Sequence, residues 1–183
     1  MAVAREELTA EAALERVEEL AGEHIESIAI EEGGRLLIRL AGKELPIVCR
    51  AIRDDAELSF KYLVYVTATD FEDRIEAVYF LRSINHQLTA DLRVDLDRER
   101  PTLPSVSSIW RTACWHERET YDFFGIIYTG HPELNRILTG VKGGVHPLRK
   151  DEQPHRVRRQ EWKWDKASPP LRLPGEPDRK TRS

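Results

Sequence analysis

Two cysteines are all that 183 residues carry, and neither Cys49 nor Cys114 begins a C-x-x-C. The chain therefore offers neither a disulfide framework nor a thiolate metal frame, and reduced cytoplasmic thiols are the plain expectation. No H-E-x-x-H occurs; His131 and His146 fall in separate loops, and Cys114 and His116 lie too close in a helix to share a face, so the six histidines show no ligand spacing. Neither G-x-G-x-x-G nor G-x-x-x-x-G-K is present, which argues against dinucleotide and phosphate-loop binding, and no G-x-S-x-G presents a nucleophile. An independent enzyme is not expected. No apolar run approaches the roughly 20 residues of a membrane span, with 33% of residues charged and 40% hydrophobic. The opening M-A-V-A-R-E-E has no apolar h-region, which argues against secretion.

What is present is a marked charge asymmetry. Residues 149–183 hold eleven Lys or Arg against six Asp or Glu, a net +5, whereas residues 1–148 hold seventeen against twenty-six, a net −9. Length and pattern fit one domain over 1–148 and a basic, proline-rich tail over 149–183. With few apolar residues besides Trp162, Trp164, Leu171 and Leu173, the tail cannot form its own core; its tryptophans suggest a strap docked on a partner, against the blander reading of a solvated tail.

Within the body, Thr9 to Ala21 reads as an amphipathic helix stopped by Gly22. Ile25–Ile30 and Arg35–Leu40 flank Glu32-Gly33-Gly34 as a hairpin, and Pro46 can start a second helix ending near Asp54. Tyr62–Thr69, Ile75–Leu81 and the strictly alternating Leu88–Leu96 read as strands, followed by a polar connection, Arg98–Pro104, whose prolines cannot join a sheet interior. This order packs helices on one side of a mainly antiparallel sheet, an α+β fold with an extended C-terminal tail.

The densest stretch runs from Trp110 to Leu138. A helix of about four turns, capped by Ser107 or Ser108 and ended by Gly125, would carry Trp110, Ala113, Cys114, Glu117, Tyr121 and Phe124 on one face. Glu117 would then be buried and need a cation such as Arg136 or Arg149. Arg118, Glu119 and Asp122 lie on the flank, where Arg118 and Asp122 can pair. An extended Ile126–Tyr128 leads to Gly130-His131-Pro132, with His131 an N-cap or interface donor and Pro132 opening a short helix bearing Leu134, Ile137 and Leu138.

The run W-H-E-R-E-T-Y-D-F-F-G-I-I-Y-T-G-H-P-E-L-N-R-I-L, followed by H-P-L-R-K-D, resembles the signature of the thirty-kilodalton subunit of respiratory complex I, the C-subunit of bacterial NADH:quinone oxidoreductase. Weaker similarity extends upstream through Phe71-Glu72-Asp73-Arg74. Asn135 stands where the family usually has a basic residue, and the stretch after Asp151 lacks the usual apolar continuation. The resemblance implies a non-catalytic, cofactor-free peripheral-arm subunit on the cytoplasmic side of the membrane. It would dock the large hydrogenase-like subunit that lines the quinone site, beside neighbouring iron-sulfur subunits. Iron-sulfur clusters, with flavin or a nickel-iron centre, would reside in those partners; membrane contact would run through them, and no nucleic acid is expected. The equivalent subunit of a membrane-bound nickel-iron hydrogenase, or of another ferredoxin- or coenzyme-dependent relative, is the alternative.

No catalytic, cofactor-binding or metal residue is assigned. The residues given to a structural lock or partner interface are Glu117, Arg118, Glu119, Asp122, His131, Pro132, Arg136, Arg149, Lys150, Asp151, Trp162 and Trp164. A proton-handling role for the Glu117 and Glu119 pair is the competing reading, as is a free-standing metalloenzyme or hydrolase using His131 and Glu117.

Overall fold

The computed structural model describes residues 8–139 and 144–151, so the expectations for Trp162, Trp164 and the rest of the tail past Asp151 lie outside the described residues. Helix α1, Ala10–Ala21, starts where the Thr9 hydroxyl accepts from the Ala12 N–H at 3.3 Å, and it buries Ala13, Val17 and Ala21. Strands β1, Ser27–Glu31, and β2, Arg35–Arg39, form the hairpin expected around Gly33 and Gly34, both at positive φ. Pro46 sits in the first turn of α2, Leu45–Asp54, which turns Leu45, Val48, Cys49 and Ile52 inward. A meander follows: β3, Tyr62–Asp70; β4, Arg74–Ser83; β5, Leu88–Asp97.

The five strands order as β1-β2-β5-β4-β3, antiparallel except for β2 and β5, which run parallel with Leu36 opposite Ala90 and Arg39 opposite Arg93. The period-2 pattern of β5 sends Ala90, Leu92 and Val94 to the core beside Leu36, Ile38, Ile75, Tyr79 and Leu81. Each large aliphatic side chain among them contributes about 1.5–3 kcal/mol on burial, so the three interior strands, β2, β5 and β4, anchor the domain. The helices pack on this face. The opposite parity carries an ion-pair lattice in which Glu76 meets Arg39 at 2.9 Å and Arg93 at 3.5 Å.

Three expectations are corrected at the C-terminal end of the body. The third helix, α3, spans Ala113–Phe124 and does not start at the serines. Residues 106–112 form tight turns, the Ser107 hydroxyl is engaged with Ser105, and the Thr112 hydroxyl donates to the Leu63 carbonyl instead of capping the helix. The connection after β5 does pair: β6, Thr102–Pro104, lies parallel to β7, Ile127–Thr129, in a separate two-stranded ladder. Its prolines are tolerated because neither strand is interior. The helix expected from Pro132 does not form, because the amides of Ile137, Leu138 and Thr139 donate to a side-chain carboxylate and not to preceding carbonyls.

Candidate functional site

Helix α3 carries two fully buried carboxylates on different sides. Glu117 shares the core-facing side with Ala113, Thr120 and Phe124. Asp122 is five residues on, about 140° around the helix, on a side that only a chain segment from elsewhere can cover. That segment is the irregular stretch after His131, and it organises the site.

Glu117 was expected to hold Arg136 or Arg149; neither reaches it. One oxygen accepts from Ser105 Oγ at 2.6 Å and the other from the Val106 N–H at 2.8 Å, which ties the chain entering the helix to the helix itself. The nearest basic group is the buried ring of His131, with Nε2 at 3.9 Å. Because His131 Nδ1 accepts from the Glu133 N–H, Nε2 is the donor to the Cys114 carbonyl at 3.0 Å, so the histidine is neither a helix cap nor a counter-ion. Burial therefore dominates, and despite the two donors the Glu117 carboxyl is pushed up to about 7. Beside it Thr120 Oγ1 and Tyr128 Oη lie 2.7 Å apart, and burial raises the phenols of Tyr79 and Tyr128 as well.

Asp122 is the residue that takes the expected arginine. Its Oδ2 accepts from the amides of Ile137, Leu138 and Thr139 at 3.0, 2.8 and 2.9 Å, while Oδ1 meets the Thr139 hydroxyl and Arg136 Nη1, the latter at 3.2 Å. Arg136 also donates to the Val145 carbonyl at 2.7 Å, joining the two ends of the loop. Burial alone would raise the Asp122 carboxyl, but the Thr139 hydroxyl and the three amides outweigh it and hold the group down at about 2. Five donors against two explain why two buried acids on one helix move in opposite directions.

A third knot gathers Arg149, Lys150 and Asp151, all assigned to the lock, around a centre that was not foreseen, Asp70 with Arg98. Arg98 grips Asp70 through two bonds of 2.9 and 3.0 Å, and the Lys150 N–H donates to Asp70 at 2.6 Å. Arg149 donates to the Arg98 carbonyl and to both oxygens of Asp151, which itself pairs with Arg98 at 3.3 Å. The signal was present in the strand parity, since Asp70 follows Val66 and Ala68 on the inward side of β3, where a carboxylate requires a cation.

The remaining assigned residues are peripheral. Arg118 does not pair with Asp122; it donates to the Asn135 carbonyl and stacks over Trp115, 5.0 Å from the ring centroid. Glu119 is half-exposed near His116, and Pro132 is exposed in the loop. Among the described residues no three His, Cys, Asp or Glu side chains converge as a metal-ligand set.

Residues 38–157 match the family described as the respiratory-chain NADH dehydrogenase 30 Kd subunit. The NADH-quinone oxidoreductase C-subunit of Roseiflexus sp. (strain RS-1) is 42% identical over 64% of this chain and 70% of its own length. Its counterpart in Cupriavidus metallidurans is 38% identical over 78% of this chain and 75% of its own. Against the counterpart in Salinispora tropica the identity is 38%, and the chain spans only 58% of that relative. Among solved structures, a trypsin-resistant fragment of Nqo5 superposes with a TM-score of 0.58 at 29% identity, covering 67% of this chain and 99% of the fragment. A chain of the membrane-bound sulfane sulfur reductase, an archaeal respiratory membrane complex, superposes with a TM-score of 0.69 at 26% identity, covering 78% and 85%. The dense α3 signature, the α+β fold and these likenesses agree: the chain belongs to the family of the 30-kDa subunit of respiratory-chain NADH dehydrogenase, the C-subunit of the bacterial NADH-quinone oxidoreductases.

Proposed function

We propose that the chain is a non-catalytic, cofactor-free docking subunit of a complex I-type NADH:quinone oxidoreductase, placed on the cytoplasmic side of the membrane and holding the large hydrogenase-like subunit of the quinone site. The observation that supports it is where the buried charges go. Glu117, Asp122 and Asp70 spend their acceptors on this chain's own amides, hydroxyls and guanidiniums. That arrangement rigidifies a surface and directs none of these three carboxylates toward a substrate. No helix among the described residues is long and apolar enough to cross a membrane, so attachment would run through partners.

The test is deletion and complementation. Removing the chain abolishes assembly and NADH:quinone activity, re-expression restores both, and the purified full chain shows no stoichiometric metal, flavin or cluster by elemental analysis and visible spectrum. One zinc or iron per chain that survives chelation overturns the cofactor-free reading, and normal assembly without the chain overturns the docking reading. A second reading, service in a relative that does not use NADH, is favoured by the likeness to the sulfane sulfur reductase chain; loss of an NADH-independent activity on deletion would select it.

A further inference from the structure

The most exposed aromatic side chain among the described residues is Trp115, 63% exposed on the first turn of α3. It lines a cleft of about 530 Å³ together with Ser107, Ser108, Arg111, Cys114 and Pro132. Arg111 lines the cleft, and Arg118, outside that lining, stacks on the indole. Neither guanidinium has a carboxylate partner among the described residues, although the body as a whole carries a net −9. Leaving a large indole in water is unfavourable, and Trp with Arg is the composition that dominates binding energy at protein interfaces. A cationic patch on an acidic body also selects its partner by sign, since most of the surrounding surface repels an acidic chain.

We propose that this cleft is a docking site for an acidic loop of a partner subunit, with an Asp or Glu carboxylate held by Arg111 and Arg118 and its apolar stem laid against Trp115. The proposal rests on the docking reading and adds where the contact is made and its chemistry. The surface is built by the residues already described: His131 holds the carbonyl of the lining residue Cys114, and Arg118 is braced by the Asn135 carbonyl. The indole and guanidiniums are thereby presented by a rigid backbone, which lowers the ordering cost of binding.

The cleft contains its own probe. Of the two cysteines, Cys49 is fully buried and its thiol is pushed well up by that burial, whereas Cys114 lines the cleft and is partly exposed. N-ethylmaleimide should label Cys114 in the isolated full chain, and in the assembled complex the labelling rate should fall on the order of tenfold or more, read by mass spectrometry. In parallel, Trp115→Ala and Arg118→Glu should each reduce recovery of the chain with its co-expressed subunits by about tenfold or more, with an unchanged unfolding midpoint, while Arg50→Glu on exposed α2 surface should not. Protection of Cys114 with loss of assembly in both variants supports the site. Equal labelling in chain and complex, or normal recovery of both variants, overturns the site while wild-type recovery upholds the docking reading. A Cys114 already protected in the isolated chain overturns it too, because the cleft is then filled. Failure of the wild-type chain to co-purify overturns both.

Discussion

Glu117 and Asp122 are isolated from water on the same helix, yet one sits at about 7 and the other at about 2. For Glu117 the folded value lies above the ordinary 4.5, so the folded state holds the extra proton and is the more stable for it below pH 4.5. That stability is lost as pH rises through about 7, and at about 1.4 kcal/mol per pKa unit the loss reaches roughly 3 kcal/mol. Glu117→Gln should flatten this dependence and be as stable as wild type, or more so, at pH 8, because no stranded guanidinium is left behind. Urea unfolding at pH 5 and pH 8 checks it, and Glu119→Gln should leave the slope in place. Asp122 has the opposite sign: its stabilisation is present above pH 3.8 and disappears as pH falls through about 2. Asp122→Asn should cost about 3–5 kcal/mol, since the amide nitrogen would confront donor groups and Arg136 would lose its counter-charge. Hydrogen exchange should then show the amides of 137–139 opening first.

At the level of elements, α3 ends at Gly125, with φ at +78°, and an added Cβ there would lie 2.9 Å from the ring of His146. His146 Nδ1 meets the Asp122 carbonyl at 3.1 Å, so the ring fills the space a side chain would need. Gly125→Ala should therefore destabilise by more than the about 1–2 kcal/mol of left-handed strain alone, and adding His146→Ala should recover the steric part only. Guanidinium unfolding of the single and double variants separates the two contributions. Elements built from local periodicity were legible: α1 from its amphipathic spacing and the Gly22 stop, the hairpin from Gly33-Gly34, β5 from the alternation of Leu88 to Leu96. So was the burial of Glu117, which helix phase places with Ala113 and Phe124. What escaped depended on partners remote in sequence. Thr102–Pro104 becomes a strand only because Ile127–Thr129 returns beside it, and the stretch after Pro132 is denied a helix because Asp122 captures its amides. The identity of each carboxylate's partner had no signal in spacing at all.

For the molecule as a whole, the segment leaving the body is fastened at Asp70, where Arg98 and the Lys150 amide converge. Since every buried core side chain among the described residues precedes residue 130, removing residues 152–183 should leave the unfolding midpoint within about 4 °C of the full chain, and differential scanning calorimetry decides this. A drop of 10 °C or more would mean that the tail contributes to the fold. The parallel ladder between β2 and β5 has a different consequence, one of timing. Of the five strands, those of the hairpin Ser27–Arg39 leave the ribosome first, but the strand that completes its sheet, Leu88–Asp97, is translated last. At ordinary elongation rates of about 5–20 residues per second, Leu36 and Ile38 wait on the order of 3–10 s without the neighbours that bury them. Of the five strands, those of the hairpin therefore wait longest for the neighbour that completes the sheet, and Leu36 and Ile38 are wholly shielded from water only once it has formed.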